Sequence, residues 1–150
     1  MNVREQRIGR LRAVQREFET AAIAIASLRG HLHADPSLLA DRGLGIRDFR
    51  SLQSNLEATF LVRLYAEFEA GLRSAWRGAY RRTSYPRISD IIDAIAARRS
   101  VPQKWLAAVH LVRAYRNSLV HEDAAGAAGV SLQDACDHLC RFLSQLPARW

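Results

Sequence analysis

The chain has 150 residues, of which 49% are apolar and 25% charged, and its formal net charge is +7. This balance is typical of an ordinary globular protein and excludes a disordered chain, and the length fits a single domain over residues 1–150. The longest nearly uncharged stretch, Thr20–Leu28, is too short to cross a bilayer and no secretory signal is recognisable, so we expect a cytoplasmic protein without a membrane anchor.

Arginine carries almost all of the positive charge, since Lys104 is the only lysine. Arginine binds phosphate with two parallel hydrogen bonds and stacks on bases, so the composition favours a nucleic-acid partner. A GC-rich genome, which supplies arginine codons in place of lysine codons, would produce the same composition. Charge alone leaves both explanations open.

Two long helices are predicted in the first half of the chain. The first runs from about Val3 to Leu32, and the second from Ile46 or Asp48 to about Tyr80. Their apolar residues recur at steps of three and four, the period of a helix with one buried face. These residues are Ile8, Leu11, Val14, Phe18, Ala21, Ile25 and Leu28, then Leu52, Leu56, Phe60, Leu64, Phe68, Leu72 and Trp76.

Three shorter helices are predicted to follow. The third helix covers Ser89 to Arg98, with Ser89 as its N-cap. The fourth begins at Pro102 and ends near Glu122. The fifth begins at Ser131, where Asp134 nearly completes a capping box. We therefore predict an all-α protein, an antiparallel bundle of four to five helices.

Cys136 and Cys140 lie in the predicted fifth helix, four residues apart. They form no CxxC pair and no second cysteine pair accompanies them. A zinc site is therefore not expected, and we predict two reduced core cysteines. No metal and no cofactor is predicted elsewhere in the chain.

Arg116 lies in the middle of the apolar stripe of the fourth helix, which Val109, Val112 and Leu119 help to form. An arginine on a buried stripe is unusual because an unpaired buried charge is costly. It could pair with Glu67 or Glu69 of the second helix, or the stripe could turn outward and leave it in solvent. Alternatively, the stripe lines a cleft or an oligomer interface in which Arg116 binds a phosphate.

His121 and Asn117 are four residues apart and share another face of the same helix, together with His110. Asn117 could orient the His121 imidazole, and a histidine can give or take a proton near neutral pH. Arg116 and His121 are separated by about 140° around an ideal helix. One chain alone would not bring them together unless the helix loosens, whereas a twofold dimer would combine two copies of the motif.

The segment Arg116-Asn117-Ser118-Leu119-Val120-His121 resembles the Rx4-6H motif of HEPN domains, with four residues between Arg and His. Leu64–Glu69 is similar to the aromatic and acidic pattern of an earlier helix in that family. The resemblance implies a homodimeric, metal-independent endoribonuclease, acting as a toxin in a toxin–antitoxin pair or in anti-phage defence. It implies that Arg116 holds the scissile phosphate, that His121 is the general acid or base, and that Asn117 orients the histidine or the RNA.

Further RNA contacts are predicted at Arg113, Arg77, Arg81 and Arg82. An antitoxin of the nucleotidyltransferase type, or of another type, is the predicted protein partner. Many HEPN toxins carry a tyrosine two residues after the histidine, which such an antitoxin modifies with AMP. Here Asp123 stands at that position, which puts silencing by that route in doubt.

Two alternatives to a ribonuclease remain open. The chain could be a non-catalytic HEPN-like module for dimerisation, an adaptor. It could also be a helical nucleic-acid-binding protein that contacts phosphates through its arginine-rich segments. Gly-rich phosphate loops, HExxH pairs and GxSxG elbows are absent from the sequence, so other enzyme classes find little support.

Overall fold

The structure, a computed structural model, describes residues 2–80, 86–121 and 127–149. Within these ranges the chain forms five α-helices, one short 3-10 helix over Ala40–Arg42 and no strand. The α-helices are α1 (Val3–Ala34), α2 (Ile46–Tyr80), α3 (Ile88–Arg99), α4 (Gln103–Val120) and α5 (Leu132–Leu143). The predicted all-α bundle is confirmed, and each predicted helix start or end lies within two residues of the observed one.

Helix α2 packs against all four other α-helices, and α5 packs against α1, α2 and α4. The inward face of α5 is fully buried, and Phe142 meets Phe68 of α2 edge-on with ring centroids 6.0 Å apart. The central residues of α1 and α2 complete the core. The fully buried core side chains include Leu11, Leu61, Leu64, Phe68, Leu72, Ile91, Ile92, Leu132, Leu139, Phe142 and Leu143.

The stripe predicted for α2 is buried at Leu64, Phe68 and Leu72 but not at Leu52. The carboxylate of Glu57 accepts a hydrogen bond of 2.7 Å from the backbone N–H of Leu132, so α5 begins at the level of Glu57. Leu52 lies more than one turn beyond that point and is 49% exposed. The prediction that Leu52 belongs to the core is therefore wrong.

Helix N-termini agree only partly with the prediction. Ser131 caps α5 by accepting a hydrogen bond from the backbone N–H of Asp134, as expected. Ser89 is not an N-cap, because α3 begins one residue earlier and Arg87 holds the cap position. That earlier start lets Ile88 pack against the core. A full capping box, formed by Asn2 and Glu5 at the start of α1, was not predicted.

Candidate functional site

Helix α4 places Arg113 and Arg116 beside α2. Val109 and Val112 are fully buried and fix one face of α4 against the core. Arg113 and Arg116 lie one and four residues after Val112, so they project next to that buried face. Both arginines are half-buried.

Arg116 makes two contacts that hold its guanidinium in place. Its Cζ atom lies 5.7 Å from the centroid of the Tyr65 ring on α2. Its Nη1 donates a hydrogen bond of 3.1 Å to Oδ1 of Asn117. The aromatic face attracts the cation, and the amide oxygen satisfies one of its five N–H donors. Neither contact neutralises the charge.

The acidic residues that could have neutralised Arg116 are engaged with other arginines. Oε1 of Glu69 accepts from Nη2 of Arg73 at 2.7 Å. A carboxylate oxygen of Glu67 lies 3.8 Å from Nη1 of Arg10. The explanation in which Glu67 or Glu69 pairs with Arg116 is therefore wrong, and the described residues supply Arg116 with no carboxylate.

Three buried polar atoms of this site have no hydrogen-bond partner among the described residues. They are the Tyr65 hydroxyl, Nε of Arg113 and Nε of Arg116. Buried donors are satisfied in the great majority of proteins, and an unsatisfied one costs about 1–3 kcal/mol. Two guanidiniums and one hydroxyl, each with a donor left unpaired, have the chemistry that suits an anion with several acceptor oxygens.

The pKa of the Tyr65 hydroxyl is shifted by its burial and by the charges around it. Burial is the main cause that raises its pKa well above the ordinary value, and the Glu69 carboxylate adds to the rise. Three guanidiniums act in the opposite direction, those of Arg113, Arg116 and Arg73. The hydroxyl therefore stays protonated and available as a donor at neutral pH, close to three positive charges.

His121 lies at the C-terminal end of α4, outside this cluster. It is the C-cap residue, with extended backbone angles, and its N–H donates to the carbonyl of Asn117 at 2.9 Å. Its side chain is exposed, and no hydrogen bond between described residues joins it to Arg116. The Asn117 amide oxygen accepts from Arg116. One chain thus separates Arg116 from His121, as the helical geometry predicts.

His110 is held by a structural contact. Its Nε2 lies 2.8 Å from Oδ1 of Asp93 on α3. This contact joins α3 to α4 one turn above Arg113. Of the two histidines near this helix, His110 is half-buried and His121, the C-cap residue, is exposed.

The other predicted RNA contacts fall in different places. Arg77 is exposed on α2 and lines a groove with Arg7 and Arg73. Arg81 and Arg82, like Glu122 and Asp123 after the motif, lie outside the described residues. Sequence reasoning did not single out Tyr65, although it lies within the segment Leu64–Glu69 that carried part of the family resemblance.

Comparison of the chain with protein-family models, curated proteins and solved structures found no match. Within the described ranges, no cluster of three or more His, Cys, Asp or Glu side chains could hold a metal ion. None of the described helices combines the length and apolarity needed to span a membrane.

Proposed function

We propose that the protein is a metal-independent endoribonuclease of HEPN type, which cleaves RNA by attack of the ribose 2′-hydroxyl at a site composed from two chains. One observation carries the proposal: Arg113 and Arg116 lie half-buried near the Tyr65 hydroxyl, with buried donors unpaired, and no carboxylate of the described residues forms an ion pair with either arginine. A scissile phosphate satisfies both the charges and the donors. The expected RNA specificity follows from the need for a 2′-hydroxyl, which DNA lacks.

The reaction needs one proton acceptor and one proton donor. The 2′-oxygen attacks phosphorus while its proton passes to a neutral His121 imidazole. The bond from phosphorus to the 5′-oxygen breaks, and that oxygen takes a proton from a protonated imidazole or from water. Arg116 stabilises the charge that develops on the non-bridging oxygens. The products are a 2′,3′-cyclic phosphate and a 5′-hydroxyl end.

A dimer is part of the proposal because Arg116 and His121 diverge on one helix. A second copy related by a twofold axis places its own His121 near the first copy's Arg116. Leu119 and Val120 support this arrangement, since they lie inside the motif and are 36% and 46% exposed. Apolar side chains exposed beside a functional motif are typical of an interface with a partner chain.

The test is cleavage of a labelled RNA in EDTA by the wild-type protein, by Arg116→Ala and by His121→Ala. His138→Ala is the matched control, since His138 lies on α5 outside the motif. Cleavage by the wild type and by His138→Ala, with cyclic-phosphate ends, and loss in the other two variants support the proposal. Intact RNA with the wild type, or full cleavage by His121→Ala, contradicts it.

The biological role follows from the family resemblance alone. We propose a toxin of a toxin–antitoxin or anti-phage system, with RNA as its substrate and an antitoxin as its protein partner. Induced expression should then stop growth of a bacterial host, and Arg116→Ala should restore it. Equal growth arrest by both proteins would contradict a nuclease toxin.

A nucleic-acid-binding protein without cleavage is the second candidate. The separation of His121 from Arg116 within one chain favours it, since the arginine cluster could bind phosphate without any acid or base. Under this alternative, RNA and DNA of equal length bind with similar affinity and a steep dependence on salt. RNA then remains intact in the presence of the wild-type protein.

A further inference from the structure

The seam between α1 and α2 carries a series of ion pairs that stops at Arg7. Arg63 of α2 pairs with Glu17 of α1, and Arg10 of α1 pairs with Glu67 of α2 at 3.8 Å. At the following turn of the seam Arg7 faces Gly71. A Cβ atom at position 71 would lie 3.6 Å from Cδ of Arg7, so the arginine side chain lies directly on the glycine.

Arg7 therefore keeps its charge where the neighbouring seam positions are neutralised. No acidic residue of the described ranges forms an ion pair with it. The stem of Arg7 packs on Gly71 of α2, at a distance that would also accommodate a Cβ atom there. Arg7 is half-buried there, with its stem packed on the helix and its charged end toward the surface.

Arg7 forms one wall of an open groove of about 700 Å³ between α1 and α2. The described residues that line the groove include no acid. Small side chains form its floor, so an extended chain can approach the backbone of α2. The lining residues are Arg7, Ala70, Arg73, Ser74, Arg77 and Gly78.

Arg73 is shared between the groove and the surroundings of Tyr65, since it lines the groove and acts electrostatically on the Tyr65 hydroxyl. Tyr65, Glu69, Arg73 and Arg77 follow one another at four-residue steps along α2, a distance of about 18 Å from first to last. Glu69 holds Arg73 through a hydrogen bond of 2.7 Å. Arg73 is also close enough to the Tyr65 hydroxyl to act on it electrostatically, as Arg116 does. Arginines thus follow one another from α4 through α2 to α1, with Arg73 paired to Glu69 among them.

We propose that this groove binds the backbone phosphates of a single RNA strand whose next phosphates reach Arg116. The inference rests on the proposed function for the identity of the polyanion. Arginine fits phosphate better than lysine does because its planar fork donates two parallel hydrogen bonds. A membrane surface is the poorer partner, since the lining lacks the large apolar side chains that insert between lipids.

The experiment measures binding of a labelled 2′-O-methyl RNA of about twelve nucleotides, within the range of single-strand binding sites. This RNA has no 2′-hydroxyl and remains intact whether or not the protein is a nuclease. The variants are Arg7→Gln and Arg77→Gln. Arg10→Gln is the matched control, because it removes the same charge one turn away on α1 from a residue already paired with Glu67.

We expect Arg7→Gln and Arg77→Gln each to weaken binding about threefold to tenfold near 0.1 M salt. Each variant should also reduce the slope of log affinity against log salt concentration by about 0.7, which is the value for one lost phosphate contact on a single strand. Arg10→Gln should stay within about twofold of the wild type. The loss should become smaller as the RNA is shortened. Arg7→Lys, which keeps the charge, should recover part of the affinity and shows that Arg7→Gln acts through charge.

Equal losses from Arg7→Gln and Arg10→Gln would overturn the proposal, since net charge rather than the groove would then govern binding. The proposal would also be overturned if Arg7→Gln bound RNA as the wild type does but no longer bound phosphatidylserine vesicles. That result would assign the groove to a membrane surface. Failure of the wild type to cleave ordinary RNA would contradict the nuclease. Binding of the uncleavable RNA would still test whether the groove holds an RNA strand, because that measurement does not depend on cleavage.

Discussion

The guanidinium of Arg116 lies over the ring of Tyr65, with 5.7 Å between Cζ and the ring centroid. A similar contact, Arg141 over Trp105 at 5.6 Å, stands between α5 and α4. The two differ in surroundings, since Arg141 is exposed and Arg116 is half-buried. Stacking of a cation on an aromatic ring contributes about 0.5–2 kcal/mol, which only partly offsets the cost of removing a guanidinium from water. Arg116 is thus kept at a cost in stability, the pattern expected where a residue serves function.

Replacement of Arg116 by methionine should therefore stabilise the protein. Methionine fills a similar volume and needs no hydrogen bonds, so we expect the free energy of unfolding to rise by about 1 kcal/mol. Urea denaturation followed by circular dichroism measures the change. Arg141→Met is the matched control and should change stability by less than about 0.5 kcal/mol, because the exposed cation already reaches water.

A fall in stability on Arg116→Met, larger than that on Arg141→Met, would contradict this account. It would mean that Arg116 is neutralised in the folded chain. The same variant should lose RNA cleavage if the proposed function is correct. Gain of stability together with loss of activity would mark Arg116 as a residue retained for its chemistry.

Tyr65→Phe tests the buried hydroxyl. Its pKa is raised in the folded chain chiefly by burial, so the unfolded chain loses the proton first as pH increases. The stability contributed by this difference is complete below pH 10 and is lost above it, with a limiting slope of about 1.4 kcal/mol per pH unit. The wild type should therefore lose stability relative to Tyr65→Phe as the pH rises above 10. Parallel curves through that range would show that the hydroxyl is not buried.

The helical period of the sequence is sufficient to predict the five helices, because one buried face per helix leaves a regular apolar pattern. It is not sufficient to predict which part of that face is covered. Leu52 continues the stripe of α2, yet it is exposed, while Phe49 one turn earlier is buried. Tyr65 lies one residue after Leu64, about 100° around the helix, and its role depends on how α4 packs. That Arg7 has no acidic partner among the described residues depends likewise on the register between α1 and α2, because this register places Gly71 opposite Arg7.

Glu57→Ala tests the long-range cap of α5. The Glu57 carboxylate accepts from the backbone N–H of Leu132 at 2.7 Å, which satisfies a donor at the start of α5. Its removal should lower the free energy of unfolding by about 1 kcal/mol, as measured by urea denaturation. Glu57→Gln keeps an acceptor oxygen and should lose less than half of that amount. Equal losses in the two variants would assign the effect to charge instead of the hydrogen bond.

Gly71→Ala should stabilise α2, because glycine within a helix is about 1 kcal/mol less favourable than alanine. The new Cβ would meet Cδ of Arg7 at 3.6 Å, an ordinary van der Waals contact. We expect a gain of about 0.5–1 kcal/mol by thermal denaturation. Gly43→Ala is the control with the opposite sign, since Gly43 has φ of 67° and alanine is strained there. Destabilisation by Gly71→Ala would show that Arg7 packs on position 71 more tightly than described.

Mixing two inactive variants tests whether the site is shared between chains. Arg116→Ala and His121→Ala each retain one end of the motif, and the helical geometry separates these ends within a chain by about 140°. If the site combines Arg116 of one copy with His121 of the other, a mixed dimer contains one complete site. Unfolding and refolding the two variants together makes half of the dimers mixed, so the activity should recover to roughly one quarter of the wild-type rate. Each variant refolded alone should remain inactive. A mixture that also remains inactive, although mass spectrometry shows mixed dimers, would place both residues of each site on the same chain and would require the end of α4 to change conformation when RNA binds.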